Sequence, residues 1–166
     1  MNAVAPVTLN GQMVSSSLIR SLLGEGKVDQ VIPFLGRPYL LEGNVREGEG
    51  RGKTLGYPTA NILPDGKLIP KNGVYAVTVE MREKRHPAIV YIGTQPTFQK
   101  TLRQIEAYLF DFTGRLYGEH LKIYFYGWVR GEMTFPDRNA LIQQIEKDIL
   151  KAKEILRVAP KNGYDQ

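Results

Sequence analysis

The sequence predicts a mainly β fold: a small antiparallel barrel or sandwich, preceded by short helices and followed by one long C-terminal helix. From position 38 onward, short segments rich in β-branched and aromatic residues alternate with Gly, Pro and Asn. The connections are too short for the dozen or more residues of a parallel crossover, which favours antiparallel pairing. With five or more such strands, a barrel or a sandwich is the economical way to protect the sheet edges.

Two short helices are expected ahead of the strands. Serines 15–17 are N-cap candidates for a first helix that stops at Gly24, and a second helix is expected from Lys27 to Leu35 with Gly36 ending it. Two short amphipathic helices cannot form a core by themselves. Both therefore need a surface on which to pack.

Strands are expected at residues 39–45, 74–81, 88–92, 105–112 and 121–129. Alternation in the first strand places Tyr39, Leu41 and Val45 on one face. In the fourth strand, Glu106 falls on the same face as three aromatic residues, which are Tyr108, Phe110 and Phe112.

The chain is expected to end in a helix over residues 137–158. Pro136 and Asp137 supply its start signal. Its apolar stripe consists of Leu141, Ile145, Ile149, Ala152 and Leu156.

Composition excludes several classes of protein. The 166 residues contain no cysteine, which rules out a disulfide scaffold, a thiolate nucleophile and a sulfur-ligated zinc site. Two histidines leave little room for a His-rich metal centre. No apolar run approaches the roughly 20 residues that span a bilayer, so no membrane partner is expected. A cytoplasmic location is expected, and the net charge of +5 suits a polyanionic ligand.

A glycine-rich segment over residues 43–56 carries the densest chemical signal, with five glycines and three basic residues. The glycines would allow a close backbone approach to phosphate oxygens, and Arg51 and Lys53 would add charge-assisted hydrogen bonds. The spacing matches neither a Walker loop nor a dinucleotide fingerprint. A flexible hairpin tip with solvated charges is the alternative.

Three further residues, a Thr and Asn pair and a single Glu, are candidates for chemistry. Thr59 and Asn61 offer two neutral, hard oxygen atoms from one side of an extended chain, which suits Mg²⁺ held otherwise by phosphates and water. Glu106 is a carboxylate on an aromatic strand face, where burial would raise its pKa toward the range of a general base. An ordinary turn at Thr59 and Asn61, and a solvated or Arg-paired Glu106, are the alternatives.

Taken in order, these segments closely resemble the riboflavin kinase family, and specifically the C-terminal kinase module of bacterial bifunctional riboflavin kinase/FAD synthetases. The resemblance runs from about residue 35 into the C-terminal helix. It rests on the glycine-rich segment and on residues 56–61, 72–75, 93–98, 105–106, 111–112, 116–118, 130–132 and 135. The joint order and spacing of these motifs is far more specific than any one of them.

The resemblance implies a six-stranded antiparallel Greek-key barrel followed by a helix. It implies transfer of the γ-phosphate of ATP to the 5′-hydroxyl of riboflavin, giving FMN and ADP. By this resemblance Glu106 is the catalytic base, and Thr59 and Asn61 bind Mg²⁺ and nucleotide phosphates. Gly48, Gly50, Arg51 and Lys53 would cover the nucleotide.

Two positions depart from the family pattern. Gln95 stands where Arg is frequent, and Tyr91 stands where Asn is common. Contacts made through this part of the chain are therefore not carried over from the family.

Residues 14–20 are similar to the Ile-Ser-Ser-Thr-x-Ile-Arg motif that closes the adenylyltransferase module of the bifunctional enzymes. The His-containing signature of that module does not occur in this sequence. We therefore expect no FAD synthetase activity from this chain, and an adenylyltransferase module is an expected missing partner. The expected division is a remnant and linker over residues 1–36, a kinase domain over 37–160 and a tail over 161–166.

Two other functions compete with a kinase. A non-catalytic flavin- or nucleotide-binding barrel would need neither Glu106 nor the Thr59 and Asn61 pair, so their presence favours the enzyme. A barrel that binds single-stranded nucleic acid is the third interpretation, and its binding would depend steeply on salt. The basic residues are dispersed along the chain, so no nucleic acid partner is expected.

Overall fold

The computed structural model describes residues 5–96 and 101–160. The predicted tail over residues 161–166 lies outside the described residues, as do Thr97 and Phe98 of the 93–98 motif. In chain order the elements are β1 (Thr8–Leu9), β2 (Gln12–Met13), α1 (Ser16–Gly24), α2 (Val28–Leu35), β3 (Tyr39–Arg46), α3 (Arg51–Thr54), β4 (Ala60–Pro64), β5 (Gly73–Met81), β6 (Lys84–Pro96), β7 (Thr101–Leu109), β8 (His120–Arg130) and α4 (Arg138–Val158).

Six strands form a closed antiparallel barrel in the order β3-β4-β7-β6-β5-β8, with β8 pairing back onto β3. This confirms the predicted mainly β class and the six-stranded antiparallel barrel. The seam between β4 and β7 is short: its register pairs join Ala60 to Ala107, Asn61 to Glu106 and Ile62 to Ile105. Side chains of β3 fill the interior as alternation predicted, since Tyr39, Leu41 and Val45 all belong to the inner cluster.

The two N-terminal helices pack onto the barrel, which supplies the surface that they need. The Ser15 side chain accepts a hydrogen bond of 3.1 Å from the Leu18 amide, and Gly36 ends α2 in the left-handed conformation, both as predicted. Leu23, Val28 and Val31 are almost fully buried in the cluster that fills the barrel. The unpredicted β1–β2 hairpin precedes α1.

The C-terminal helix α4 covers part of the outer face of the barrel. Asp137 caps it by accepting a 2.8 Å hydrogen bond from the Ala140 amide. Ala152 is fully buried in a second cluster, between the helix and the outward side chains of the strands. None of the helices in the described ranges is long and apolar enough to cross a membrane.

One prediction about the fourth strand is wrong. β7 ends at Leu109, and Asp111 has a positive φ of 50°, which breaks the alternation. Phe112 consequently packs with the cluster inside the barrel, whereas Phe110 and Tyr108 belong to the outer one. Glu106 therefore shares its face with Tyr108 and not with Phe112.

Candidate active site

A row of outward side chains crosses the barrel at the level of Glu106. In an antiparallel sheet, directly opposed residues project from the same face. One residue from each strand takes part in this row, in the order Arg130, Val74, Tyr91, Glu106, Asn61 and Arg46. Val74 lies under α4 in the outer cluster, so the row faces the outside of the barrel.

Two cavities lie along this row. The first, here called the α4 cavity, has a volume of about 470 Å³ and lies between the outer barrel face, α3 and α4. Its lining is mainly apolar and aromatic. It includes Leu55, Tyr57, Tyr108, Phe135, Leu141 and Ile145. Such a lining suits a flat, largely apolar ligand.

The second cavity, of about 410 Å³, lies beside the segment between β3 and β4, residues 47–59, which we call the flap. Its lining includes three cationic side chains, those of Arg46, Lys53 and Arg115. This flap cavity suits a ligand with several negative charges.

A narrow gap of about 30 Å³ lies where the two cavities approach each other. It shares Arg51 and Glu106 with the α4 cavity, and Gly50 and Asn61 with the flap cavity. Thr59 lines the gap and both cavities. A group passing from a ligand on one side to a ligand on the other would cross beside Thr59 and Glu106.

Glu106 and Thr59 are in direct contact. The Thr59 hydroxyl donates a 3.2 Å hydrogen bond to Oε2 of Glu106. Burial raises the pKa of Glu106, while the Thr59 hydrogen bond and the charge of Arg51 act in the opposite direction and only partly offset it. The result is a carboxylate with more proton affinity than a solvated glutamate, which suits a general base.

The Asn61 side chain lies between Gln104 on one side and the backbone of the flap at Gly48 on the other. Its Oδ1 accepts a 3.1 Å hydrogen bond from Nε2 of Gln104 on the neighbouring strand β7. On the other side, a Cβ at Gly48 would lie 1.7 Å from Nδ2 of Asn61. The flap backbone therefore approaches Asn61 so closely that a side chain at position 48 would require the flap or Asn61 to move.

The flap contains a turn of helix, α3, that the sequence did not predict. A Cβ at Gly52 would lie 2.3 Å from the carbonyl oxygen of Tyr57, so this turn also folds tightly against its own chain. Arg138 at the start of α4 donates a hydrogen bond to the Thr54 carbonyl and joins the flap to the helix. The Arg51 side chain in this turn is 79% exposed, so the alternative of a flexible hairpin tip with solvated charges stays open.

The structure brings the predicted residues together around Thr59 and divides them between the two cavities. Gly48, Gly50, Lys53 and Asn61 line the flap cavity. Arg51 instead lines the gap and the α4 cavity, and forms an ion pair with Glu49. The two basic residues of the flap thus face different cavities.

The residues that depart from the family pattern also lie in this region. Tyr91 lines the α4 cavity, and its hydroxyl donates a 3.3 Å hydrogen bond to Oε1 of Glu132. Gln95 lines the gap, and its Nε2 lies 3.4 Å from an oxygen of Glu49.

Sequence reasoning missed an ion pair in the wall of the α4 cavity. Nε of Arg130 donates to both carboxylate oxygens of Asp148, at 2.9 and 3.0 Å, and Asp148 is only 2% exposed. Asp148 follows Leu141 and Ile145 by seven and three residues, so it belongs to the stripe of α4 that faces the barrel. A carboxylate within an otherwise apolar stripe could have indicated that Asp148 has a buried cationic partner.

Among the described residues, no cluster of three or more His, Cys, Asp or Glu side chains is arranged to hold a metal ion. The neutral oxygens of Thr59 and Asn61 do fit a metal that is shared with phosphates. Thr59 uses its hydrogen toward Glu106 and keeps its lone pairs, and Mg²⁺ commonly takes few protein ligands beside phosphate and water.

Fold and site together define a closed barrel with two neighbouring cavities and with the Glu106 carboxylate at the gap between them. Comparison with known proteins specifies the family. The Flavokinase family model, described as riboflavin kinase, matches residues 35–156. The chain therefore belongs to the riboflavin kinase family, which confirms the resemblance inferred from the sequence.

Individual relatives agree with this assignment. The bifunctional riboflavin kinase/FMN adenylyltransferase of Bacillus subtilis (strain 168) is 40% identical over 149 residues, which cover 87% of this chain and 47% of that protein. The chain spans about half the length of the curated relatives it matches.

Two solved structures share the fold. The crystal structure named Macrolide-efflux Protein from Streptococcus pneumoniae superposes with a TM-score of 0.85 at 32% identity, over 93% of this chain and 50% of that one. The riboflavin kinase from Trypanosoma brucei superposes with a TM-score of 0.52 at 26% identity, over 74% of this chain and 82% of that one.

Proposed function

We propose that this chain transfers the γ-phosphoryl group of ATP to the 5′-hydroxyl of riboflavin, giving FMN and ADP. The observation that carries the proposal is the contact between Thr59 and Glu106 at the gap between the two cavities. Membership of the riboflavin kinase family supports the choice of substrates.

The linings of the two cavities support one orientation of the substrates. The isoalloxazine ring would lie in the α4 cavity among Tyr57, Tyr108 and Phe135, where flat aromatic surfaces contact one another favourably. The triphosphate would lie in the flap cavity beside Lys53 and the backbone of the flap. The ribityl chain would then lead its terminal hydroxyl toward the gap.

In the proposed step, Glu106 accepts the proton of the 5′-hydroxyl while that oxygen forms a bond to the γ-phosphorus and the bond to the β-phosphate oxygen breaks. ADP leaves with the electron pair of that bond. Phosphoryl transfer depends mainly on positioning and on charge stabilisation. Arg51 faces the gap, where its guanidinium would stabilise charge on the group in transfer.

Mg²⁺ is part of the proposal. Thr59 and Asn61 would hold it through their side-chain oxygens, together with the nucleotide phosphates. When bound there, Mg²⁺ would neutralise negative charge on those phosphates. The neutral character of both side chains supports a metal that arrives with ATP.

Incubation of the protein with riboflavin, ATP and Mg²⁺, followed by chromatographic separation of FMN from FAD, tests the proposal. We expect FMN, and no FAD, because the match with the bifunctional relatives covers their kinase half. Formation of FAD would contradict the predicted lack of adenylyltransferase activity. Binding of both substrates without FMN formation would favour the non-catalytic barrel.

The other parts of the sequence-based interpretation stay predictions. They are the cytoplasmic location, the division into a remnant over 1–36 and a kinase domain over 37–160, and the partnership with an adenylyltransferase module.

A further inference from the structure

The flap is joined to the barrel by a contact that crosses the gap. Nε2 of Gln95 on β6 donates a hydrogen bond of 3.4 Å to Oε1 of Glu49, and the other carboxylate oxygen of Glu49 forms the ion pair with Arg51. We call this chain of contacts, from Gln95 through Glu49 to Arg51, the strap. Each of its three side chains lines the gap.

The strap spans the strands that carry the proposed chemistry. The flap leaves the barrel after β3, and the strand order β3-β4-β7-β6 places β4 and β7 between β3 and β6. At about 4.8 Å per strand spacing, the distance from β3 to β6 is roughly 14 Å. The Glu49 side chain is 57% exposed, so the strap lies on the solvent side of the gap, and Thr59 and Glu106 lie on its barrel side.

The gap is a hydrophilic space of molecular size. Its volume of about 30 Å³ is enough for one or two water molecules, since one water needs roughly 10–15 Å³ of such space. Every lining residue except Gly50 has a polar or charged side chain, so a water molecule would find hydrogen-bonding partners there. Free access of solvent would therefore place water beside the Glu106 carboxylate.

Water beside Glu106 would compete with the hydroxyl group of the acceptor. If Glu106 took a proton from water, the water oxygen would form a bond to the γ-phosphorus while the bond to the β-phosphate oxygen broke. ATP would then be lost as ADP and inorganic phosphate. Positioning and charge stabilisation promote this reaction as well as they promote transfer to an alcohol. A kinase built around this gap therefore needs a means of limiting the access of solvent.

We propose that the strap limits the access of water to the gap and thereby sets the ratio of phosphoryl transfer to ATP hydrolysis. This inference rests on the proposed function, since it takes Glu106 as the base and ATP as the donor. The hydrogen bond that holds the strap to β6 is long and exposed, and such a bond breaks readily. The strap can therefore open in each catalytic cycle to release products. Glu49 and Gln95 act as positioning residues for the flap.

The amounts of ADP and FMN formed together measure this ratio. Gln95→Ala, Gln95→Arg, Glu49→Ala and the double variant Glu49→Ala/Gln95→Arg would be assayed with ATP and Mg²⁺, with and without riboflavin. Stopped-flow displacement of a fluorescent ADP analogue reports opening of the flap without turnover. Arg138→Met is the matched control, because it removes the attachment of the flap to α4 at Thr54, which does not line the gap.

We expect the wild-type protein to form ADP and FMN in nearly equal amounts. Without riboflavin, Gln95→Ala should hydrolyse ATP roughly 2- to 10-fold faster than the wild type, the range for the loss of one hydrogen bond. With riboflavin it should form more ADP than FMN, and the ADP analogue should dissociate faster from it. Gln95→Arg gives Glu49 a charged donor, so it should keep the two products equal and slow the dissociation. The slower dissociation should vanish in the double variant.

The inference is overturned if Gln95→Ala forms ADP and FMN in the wild-type ratio, or if Arg138→Met raises hydrolysis without riboflavin as much as Gln95→Ala does. Equally slow dissociation of the ADP analogue from Gln95→Arg and from the double variant would also contradict it, because the new arginine would then contact the nucleotide directly. Absence of FMN formation by the wild-type protein would instead refute the proposed function. The dissociation rates would still test whether Glu49 and Gln95 hold the flap, so the two failures are distinguishable.

Discussion

Glu106 is the side chain on which the proposed chemistry depends most directly. It must be ionised to accept a proton, yet burial raises its pKa. Activity should therefore fall as pH decreases through this raised pKa, so the acid limb of the pH profile for kcat should lie above the range of a solvated glutamate. The hydrogen bond from Thr59 and the charge of Arg51 oppose the effect of burial and favour the ionised carboxylate.

Glu106→Gln should lower kcat by about 10²- to 10⁴-fold, the usual contribution of a general base, with nucleotide affinity largely retained. The substitution should also stabilise the free protein at neutral pH. The folded state binds the Glu106 proton more tightly than the unfolded state, so the ionised carboxylate destabilises the fold above its folded pKa. The destabilisation by the ionised carboxylate disappears as the pH falls through the pKa of Glu106 in the folded state toward its pKa in the unfolded state.

Steady-state kinetics measure the expected loss of kcat in Glu106→Gln, and thermal unfolding over a range of pH measures the expected gain in stability. Glu132→Gln is the matched control, because Glu132 lies near Tyr91 and Asn72 but not in the lining of either cavity. Wild-type kcat in Glu106→Gln would remove Glu106 from the mechanism.

Asn61→Ala and Thr59→Ala should weaken nucleotide binding in the presence of Mg²⁺ by about tenfold or more, comparable with other losses around a metal site. Binding without Mg²⁺ should change much less, because both side chains are proposed to act through the metal. Calorimetric titration with ADP, with and without Mg²⁺, measures the difference. Asn44→Ala on β3, whose side chain contacts His120, is the control. An equal loss in both titrations would contradict the metal role.

Single residues also show where sequence patterns stop being informative. Glu106, Thr59 and Asn61 were identified because each belongs to a local motif whose side chains share one face. Asp148 was missed because its partner Arg130 lies on another element, and helical periodicity does not report a pairing between a helix and a strand. A local pattern predicts which face of a strand or helix a side chain lies on. Which residue of another element it contacts depends on tertiary packing.

The flap is the element that departs most from its sequence-based description. Its single helical turn contains Gly52, which is a poor helix former, so propensity does not predict it. The turn depends on contacts from elsewhere, including that of Arg138 with the Thr54 carbonyl. The long helix α4, by contrast, has an apolar stripe and a capping residue of its own, and β5 is rich in β-branched residues. Both were predicted nearly to their ends.

Gly48→Ala should weaken nucleotide binding while riboflavin binding is retained. The new methyl group would lie within 1.7 Å of the Asn61 amide, so the flap or Asn61 must move away. Gly48 lines the flap cavity and not the α4 cavity, which confines the effect to one substrate. Separate titrations with ADP and riboflavin measure the two affinities.

Gly24→Ala is the control for this substitution, because a Cβ there meets nothing within 4 Å. If Gly48→Ala weakened the binding of ADP and of riboflavin equally, the substitution would disturb the fold in general and not the flap cavity.

In the molecule as a whole, the N-terminal helices and the barrel share one core. Leu23 is 1% exposed within the cluster that fills the barrel, and its carbonyl oxygen accepts a 2.9 Å hydrogen bond from the Lys71 amide. The loop between α1 and α2 lies against Trp128, the single tryptophan of the chain. The sequence predicted the need for such a surface but not which strands provide it, because barrel closure joins segments far apart in the chain.

Leu23→Ala should destabilise the whole protein by about 2–5 kcal/mol, the cost of a large-to-small change in a core. The Trp128 fluorescence and the far-ultraviolet circular dichroism should lose their native signals in one transition during urea unfolding. Leu150→Ala on α4 is the control, since Leu150 is 69% exposed and the change should be worth less than about 0.5 kcal/mol. A barrel with wild-type stability in Leu23→Ala would show that residues 1–36 act as a detached linker.

The short seam between β4 and β7 has a consequence for amide hydrogen exchange. Asn61 and Glu106 face each other at the middle of its three register pairs, so the narrowest part of the sheet carries the proposed chemistry. Segments with few pairings open at lower free energy than the rest of a fold. Backbone amides of β4 should exchange with deuterium sooner than those of β5 in the free protein. Bound nucleotide should slow their exchange, so that deuterium uptake at this seam reports occupancy of the site without any turnover.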